Sequence, residues 1–573
     1  MKSLFHPLQS IQVNGDLVNL LFEPQNFDNK IRLMKKIFFI AILLFYNCIL
    51  TAQVNFTSSN LPIILINTLG QDIKDDPKIT AEMKVIANEN RRNNILDEPN
   101  DYDGFIGIEF RGASSQEFYD KKSYGIETRK ENGENNNVSL LGMPKENDWV
   151  LHGPYGDKSL MRNALAYEFA RMIMPYAPRT QYCEMVINGE YMGVYLLVEK
   201  IKRDDDRVNI DKLEPEELSG DDLTGGYIIK IDKFVGGNIG GWTSKYPARP
   251  GGSQTTFFQF HSPKADDIMP EQREYMQAFM DEFEDVMFSD EFADSLTGYT
   301  QYIDRTTFID YMLINEMCKN VDAYRLSTFL YKDKNSVDPR LKAGPVWDFN
   351  LGFGNVDFCA GPSPIGWVLD YNSICPDDQW IIHFWWNKLL NDPAFTKAAL
   401  ERWRTLRLNE FKTETLINRI NNLASILDES QRRNFERWDI IGEYVWPNGQ
   451  VSSSYNGEIS FLKGWLEDRL LWMDANISNL FDPPYITRDF FDPVVYPNPF
   501  EDEVTFRYYI NKNVRATIMI FNAQGQRIAQ IEKVAKFNGE DSLSWKPENV
   551  SGMFYYNVWF DNEIKKAGRI FTQ

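Results

Sequence analysis

The chain has 573 residues, of which 43% are hydrophobic, 14% aromatic and 25% charged. That apolar mass can fill the cores of several domains, and it excludes a disordered, collagenous or low-complexity protein. The formal net charge of -21 repels phosphate backbones, and the four histidines (His6, His152, His261 and His383) contain no i, i+4 pair, so neither a non-specific nucleic-acid binder nor a zincin-type metal helix fits.

Residues 1–33 show no strong periodicity. At Met34 the texture changes: Lys35 and Lys36 precede an apolar run from Ile37 to Tyr46, and Leu50-Thr51-Ala52 supplies small residues before Gln53. This is a Sec signal-peptide pattern over residues 34–52 with cleavage expected after Ala52. The run is too short to span a membrane comfortably. Since such leaders stand at true N-termini, translation is expected to start at Met34, with residues 1–33 an extension of the gene model. Cys183, Cys318, Cys359 and Cys375 remain after the leader, without a CxxC spacing, which argues against a zinc knuckle. Export permits disulfides. Cys359 and Cys375 bracket a Gly/Pro-rich loop and form the best pair, with buried free thiols as the alternative.

Strands are expected over 61–67, 104–111 and 122–128, and a helix over 158–174 that ends before Pro175. QYCEMVI and GVYLLVEK flank Asn188-Gly189, a strong hairpin signal. Another strand is expected over 226–232. Beyond residue 265 the pattern turns helical over 270–296 and 303–320, with strands over 326–332 and 341–347, and is then mostly helical over 376–480. Trp385, Trp386, Trp403, Trp465 and Trp472 lie on apolar faces there and read as core. The expectation is an α+β body with a strand-rich first lobe and a helix-rich second lobe. Residues 482–493 form a proline-containing linker, and 494–573 read as short strands of a small antiparallel β-sandwich.

The most informative stretch is 319–354. A helix ends near Asn320, Asp322 follows on a loop, and a hairpin then delivers Trp347-Asp348-Phe349-Asn350. Helix, loop aspartate, hairpin, Asp-Phe is the order of a kinase catalytic loop and metal-binding segment. Phosphoryl transfer needs one carboxylate to accept the hydroxyl proton and another to hold the divalent cation. Upstream, Arg111-Gly112-Ala113-Ser114-Ser115 forms a small-residue turn after a strand, able to offer N–H groups and hydroxyls to phosphate oxygens. Lys121 and Lys122 open the next strand, and the later hairpin ends at Glu199-Lys200-Ile201. No GxGxxG loop is present. The run Lys202 to Arg207, with its three adjacent aspartates, reads as a solvated turn. His152 reads as a structural histidine.

RGASS with KKSYGIET, GDKSLMRNALAYEFAR, NGEYMGVYLLVEKIKRDDDRVNI, and NVDAYRLSTFLYKD followed by LKAGPVWDFNLGFG resemble the spore-coat protein H (CotH) kinase family over residues 53–481. The resemblance implies an atypical bilobal kinase-like fold that uses ATP with Mg2+ or Mn2+ to phosphorylate protein Ser/Thr. It implies Asp322 as the catalytic aspartate and Asp348 as the metal ligand, with Asn350 and Ser327 beside it. Lys122, or else its neighbour Lys121, stands where the phosphate-contacting lysine belongs, Glu199 at a hinge-like position, and Arg111, Ser114 and Ser115 on the nucleotide side. Two departures stand out. Ser327 occupies the position where kinases commonly carry a metal-binding Asn, and Asn350 stands where many relatives carry a second acid.

At the other end, YPNPF, IMIFNAQG and GMFYY resemble a type A sorting domain of the type IX secretion system over residues 494–573. That implies a Bacteroidota-type host, contact with the type IX secretion machinery, passage through the periplasm, and release or surface attachment. Three functions stay open: a secreted atypical kinase, a non-catalytic surface or matrix-assembly protein on a kinase-like scaffold, and a surface-polymer hydrolase acting through paired carboxylates.

Overall fold

In strand Glu190–Glu199, Tyr195 and Leu197 enter one core while Val194, Leu196 and Val198 enter another, as the period of two requires. Both faces are buried, which is why the segment reads as an unbroken apolar run. The computed structural model, which describes residues 54–234, 240–249, 251–481, 493–510, 514–535, 539–547, 552–561 and 563–572, shows the reason. Seven strands close into a barrel in the order Ile63–Asn67, Ile79–Ile86, Tyr102–Arg111, Ser123–Arg129, Asp148–His152, Glu190–Glu199, Thr180–Ile187. The closing pair is parallel, with Ile63 opposite Glu184 and Ile66 opposite Ile187. Alternate residues such as Ile64, Met83, Ile106, Ile126, Trp149 and Met185 fill one core. The expected signal peptide (34–52), the extension before it and most of the linker (482–492) lie outside the described residues.

The Asn188-Gly189 turn is as expected, with φ of +52° and +82°, the left-handed pair that a two-residue hairpin loop demands. Strands Ile79–Ile86 and Asp148–His152 were not expected from the sequence. A second difference concerns the lobes. Tyr227–Ile231, Gly241–Pro247 and Thr255–Ser262 join Thr328–Lys332 and Leu341–Ala343 in one antiparallel sheet, so the division expected near residue 265 is crossed by strand pairing. Trp242, Phe258 and Phe260 share a core with Met276, Met280 and Phe283 of helix Pro270–Phe288.

Helix Arg305–Cys318 is started by Asp304, whose side chain accepts from Thr307 N at 3.0 Å. It ends at Lys319 with φ +43°, and its residues from Thr307 onward are buried. Helices Phe384–Leu389, Pro393–Leu408, Thr413–Arg437 and Tyr455–Asn476 complete the body. Trp385, Trp386, Trp403 and Trp465 are core residues as expected, with Trp472 packed at the edge. Cys359 and Cys375 form a disulfide, while Cys183 and Cys318 are buried free thiols. Beyond residue 493, a three-stranded and a four-stranded antiparallel sheet share one apolar core containing Phe506, Ile518, Tyr556 and Val558, the two-layer arrangement expected of the tail.

Helix Thr413–Arg437 is fastened to the barrel by polar contacts. Glu184, fully buried on the closing strand, receives Arg433 through two bonds of 2.9 and 2.5 Å and accepts from Ser59 Oγ and the Tyr191 hydroxyl. Asn434 Oδ1 accepts from Lys121 Nζ at 2.7 Å and Val194 N at 3.1 Å. Breaking one side of such a pair strands a buried charge, so Arg433→Met, which leaves Glu184 buried without its cation, is expected to destabilise the fold by about 3–5 kcal/mol, and Glu184→Gln by less, because Arg433 keeps Glu429 at 2.6 Å. In a denaturation cycle, Glu184→Gln/Arg433→Met should lose less than the sum of the single variants. Strict additivity would show that the pair is not a unit.

A second prediction concerns acid. His261 donates to Ile201 O at 2.9 Å and meets the Phe329 ring edge-on. Burial lowers its pKa from 6.5 to about 3. Below about pH 6.5 the unfolded chain takes up a proton that the folded chain refuses until about pH 3, so this contribution is complete above that window and fades as the pH falls through it. His261→Gln should therefore make stability fall less steeply between pH 6 and 4, by up to about 1.4 kcal/mol per pH unit. Urea midpoints with unchanged pH dependence would contradict this.

Candidate active site

A cleft of about 410 Å³ contains seven of the residues singled out from the sequence, namely Arg111, Ser114, Ser115, Asp322, Ser327, Asp348 and Asn350. Its size suits a small-molecule ligand. Each wall has a local cause. Strand Tyr102–Arg111 ends at Arg111, and the chain turns at Gly112, with φ +102°. A Cβ there would lie 2.1 Å from Ser115 Oγ, so only glycine makes this turn. Residues 114–118 then form one short helix rather than an open loop. From below, the buried helix 305–318 ends and delivers Asp322, while the hairpin 328–343 carries the chain to Asp348.

The Asp348 segment is held by helix Arg162–Arg171. Asn163 Oδ1 accepts from Phe349 N at 2.6 Å, and the Tyr167 hydroxyl accepts from Asp348 N at 3.1 Å. Asn163 and Tyr167 are one turn apart and share a face. Asn163 also bonds the His152 ring at 3.2 Å, and burial lowers the His152 pKa to about 4. His152 is thus satisfied, as expected, and it lines the cleft as well. Trp347 stacks on Tyr167 and lies under the Arg111 guanidinium, 5.4 Å from its centre.

Asp348 and Ser327 both adopt left-handed backbone, with φ of +61° and +46°, as do Lys319, Tyr324 and Phe353. Non-glycine residues in this region carry roughly 1–3 kcal/mol of strain each and gather at functional sites. The charges are close enough to interact. Burial first, then repulsion from Asp322 and Asp232, pushes the Asp348 carboxyl up to about 7, against the pull of Arg111 and Lys233. Asp322 is paired with Arg325, Nη2 to Oδ1 at 2.6 Å.

Two expected nucleotide contacts lie elsewhere. The strand begins at Ser123, which leaves Lys122 on the preceding turn, its ammonium donating to Gln116 O at 2.7 Å and Tyr119 O at 2.5 Å. Lys121 is buried against Val194 O, Asn434 and the Tyr195 ring. Glu199 is fully buried, pairs with Arg179 at 2.9 Å and accepts from Tyr176. It does not line the cleft. The cations that do are Arg111, Arg325 and Lys233, whose ammonium donates to Ser114 Oγ at 3.0 Å. Among the described residues Arg111 has no carboxylate at ion-pair distance. Sequence reasoning missed Lys233 and Arg325. The only signal for either was a cation beside an aspartate, Asp232-Lys233 and Asp322 with Arg325 three residues on.

Asp348, Asn350 and Ser327 offer hard oxygen donors of the kind Mg2+ and Mn2+ take. No group of three His, Cys, Asp or Glu side chains forms a ready metal cage among the described residues. One or two carboxylates completed by substrate phosphates is the usual way Mg2+ is held, and the half-buried Asp348 carboxyl, pushed up to about 7, is a group whose charged form a cation would stabilise.

Comparison with known proteins agrees with this geometry in part. Residues 494–570 match the family described as Secretion system C-terminal sorting domain, which implies export to the surface or the medium. Inner spore coat protein H of Bacillus subtilis (strain 168) is 31% identical over 154 residues, which cover 25% of this chain and 35% of that relative. The chain thus spans about a third of that relative's length. A solved structure of the Pseudomonas fluorescens alkylpurine DNA glycosylase AlkC, bound to DNA with an abasic site analog, aligns over 36% of this chain and 64% of that one, at 9% identity. Its TM-score of 0.12 is too low to carry any argument. Residues 108–473 match the family described as CotH kinase protein, more than half of the chain, and the protein belongs to that family.

Proposed function

We propose that this chain is an exported atypical kinase that transfers the γ-phosphoryl group of ATP to Ser or Thr of a protein. The observation that carries the reading is the meeting of Asp322 and Asp348 in one cleft with three cations. The barrel half and the helical half serve as the two lobes around it. Asp322, paired with Arg325, takes the proton of the attacking hydroxyl. Asp348, with Asn350 and Ser327, would hold Mg2+ or Mn2+, which would supply positive charge to offset that of the phosphates. Arg111 and Lys233 take the phosphate-contacting role that the strand lysines cannot fill, because Lys121 and Lys122 are committed elsewhere. Ser114 orients Lys233.

A second reading, a non-catalytic assembly protein on the same scaffold, draws support from that displaced lysine and from Ser327 and Asn350, which bring no charge to the metal side. Transfer from labelled ATP by the full exported chain, with Mg2+ or Mn2+ and a generic acceptor protein, separates the two.

Asp322→Asn should bind nucleotide as wild type does and lose roughly 10²–10⁴-fold in transfer, the usual size of a general-base contribution. Asp348→Asn should instead lose metal and nucleotide affinity. Asn tolerates left-handed backbone, so this change removes charge without adding strain. The same tolerance makes Ser327→Asn a clean test, and it should tighten metal binding. Should wild type bind no nucleotide with either cation, and both aspartate variants fold and behave like it, the scaffold reading takes over.

A further inference from the structure

Arg325 is 3% exposed and makes contacts in two directions. Toward the cleft its Nη2 donates to Asp322 Oδ1 at 2.6 Å, and its Nε holds Val321 O at 2.9 Å. On its other side its guanidinium lies 4.1 Å from the centre of the Tyr371 ring, and its Nη1 donates to Trp380 O at 3.2 Å and lies 3.6 Å from Asp378 Oδ1, both of which also belong to the cleft wall. Tyr371 and Asp378 are themselves joined, hydroxyl to Oδ2 at 2.6 Å. Arg325 therefore has its seat on residues 371–380 and its working end on Asp322.

That seat is built around Cys375. Cys375 N donates to Tyr371 O, and Asp378 N donates to Cys375 O. Cys375 is tied to Cys359, 16 residues earlier. The two ends of this loop are held differently. Residues 360–366 are gripped from the body by Lys319, which donates to Ala360, Ser363 and Ile365 carbonyls, and by Arg469, which donates to those of Pro364 and Gly366. Among the described residues the one cation on the stretch from Tyr371 to Asp378 is Arg325 itself. Besides the disulfide, that stretch is held by its own turns, by the burial of Tyr371 in the core, by Gln254, which donates to Pro376 O at 3.1 Å, and by the exchange of bonds between Asn372 and Ile382.

We propose that the Cys359–Cys375 disulfide positions Asp322 through Tyr371, Asp378 and Arg325, so that the transfer site is complete only in the oxidised chain. The proposal rests on the reading of Asp322 as the base, with Arg325 as a positioning residue. Its logic fits an exported protein, because disulfides persist in oxidising compartments and are reduced in the cytosol. The chain would gain its working geometry after leaving the cytoplasm. Reduction by a dithiol breaks the Cys359–Cys375 bond, and the two thiol protons and two electrons of the reductant pass to the cysteine sulfurs. The reductant leaves as its own cyclic disulfide.

The test compares the oxidised full chain with the same chain in dithiothreitol and with Cys359→Ser/Cys375→Ser. Amide hydrogen exchange should become about tenfold faster or more at residues 370–382 and 320–327 and stay unchanged at 360–366, since opening a closed loop of this length releases local order. Transfer should drop about ten- to hundredfold in kcat, the worth of a hydrogen bond to a charged group, with KM for ATP within about twofold. Arg325→Gln should show the same loss and no further response to reductant, and Arg325→Lys should recover part of the rate. If the serine variant does not fold, reduced wild type carries the comparison. Unchanged exchange at 320–327 overturns the proposal, as does equal kcat in the oxidised and reduced chains. If wild type transfers no phosphoryl group, the kinase reading falls, and the exchange data alone decide whether the disulfide fixes the Arg325–Asp322 unit.

Discussion

A buried carboxylate on the closing strand of the barrel is the constraint around which this fold is arranged. Glu184 sits where a parallel strand pair seals the cylinder, out of reach of water. An unpaired charge there would cost several kcal/mol, so the barrel needs the guanidinium of Arg433, and Arg433 comes from a helix more than two hundred residues downstream. Once that helix is in place, Asn434, Arg437 and Trp438 add bonds to Val194, Tyr191 and Met192. These contacts fasten the helix to the barrel wall. Lys121 is consumed by the same junction, through Val194 O and Asn434, and so is turned away from the cleft.

The cleft obeys a second rule of charge. Asp232, Asp322, Asp348 and Asp378 line it, opposed by Arg111, Lys233 and Arg325. Asp322 and Asp378 share one arginine, and Asp348 is left with cations that act at a distance. A group held in this way answers strongly to a ligand that brings positive charge, and the guanidinium of Arg111, without a carboxylate at ion-pair distance among the described residues, answers to one that brings negative charge. A phosphate–metal complex brings both. The left-handed residues at 319, 324, 327, 348 and 353 fix these side chains by backbone rather than by packing alone.

Local features were legible in the sequence. The hairpin at Asn188-Gly189, a helix that ends close to Asn320, the placement of Asp322 on a loop and of Asp348 after a hairpin, and the core tryptophans all follow from short-range pattern. Strand Ile79–Ile86 was equally legible, since Ile79, Ala81, Met83 and Val85 alternate with Thr80, Glu82 and Lys84, but it lay in a polar region and went unread. What could not be read was long-range. No period reveals that Ile63 pairs with Glu184, or that residues 227–262 share a sheet with 328–343. The misplacement of Lys122 has the same origin. Chain order put a lysine at a strand entrance, but one residue of register decided whether it joined the strand, and the strand begins at Ser123. Lys233 was invisible because its partner, Ser114, is 119 residues away.

The parallel seam also bears on how the chain matures. Its two strands are separated by more than a hundred residues, and the guanidinium that neutralises its buried carboxylate is made far later still. Until residue 433 has been delivered, the barrel is a cylinder with an uncompensated charge in its wall. Non-local closure of this kind is slow, and a barrel fragment cut before helix 413–437 would keep the neutral Ser59 and Tyr191 hydroxyls on Glu184 but lose the cation that offsets its charge. The half that looks most like an independent module therefore depends on a residue of the other half, and recombination within this body is best tolerated where both ends of the Glu184–Arg433 contact travel together.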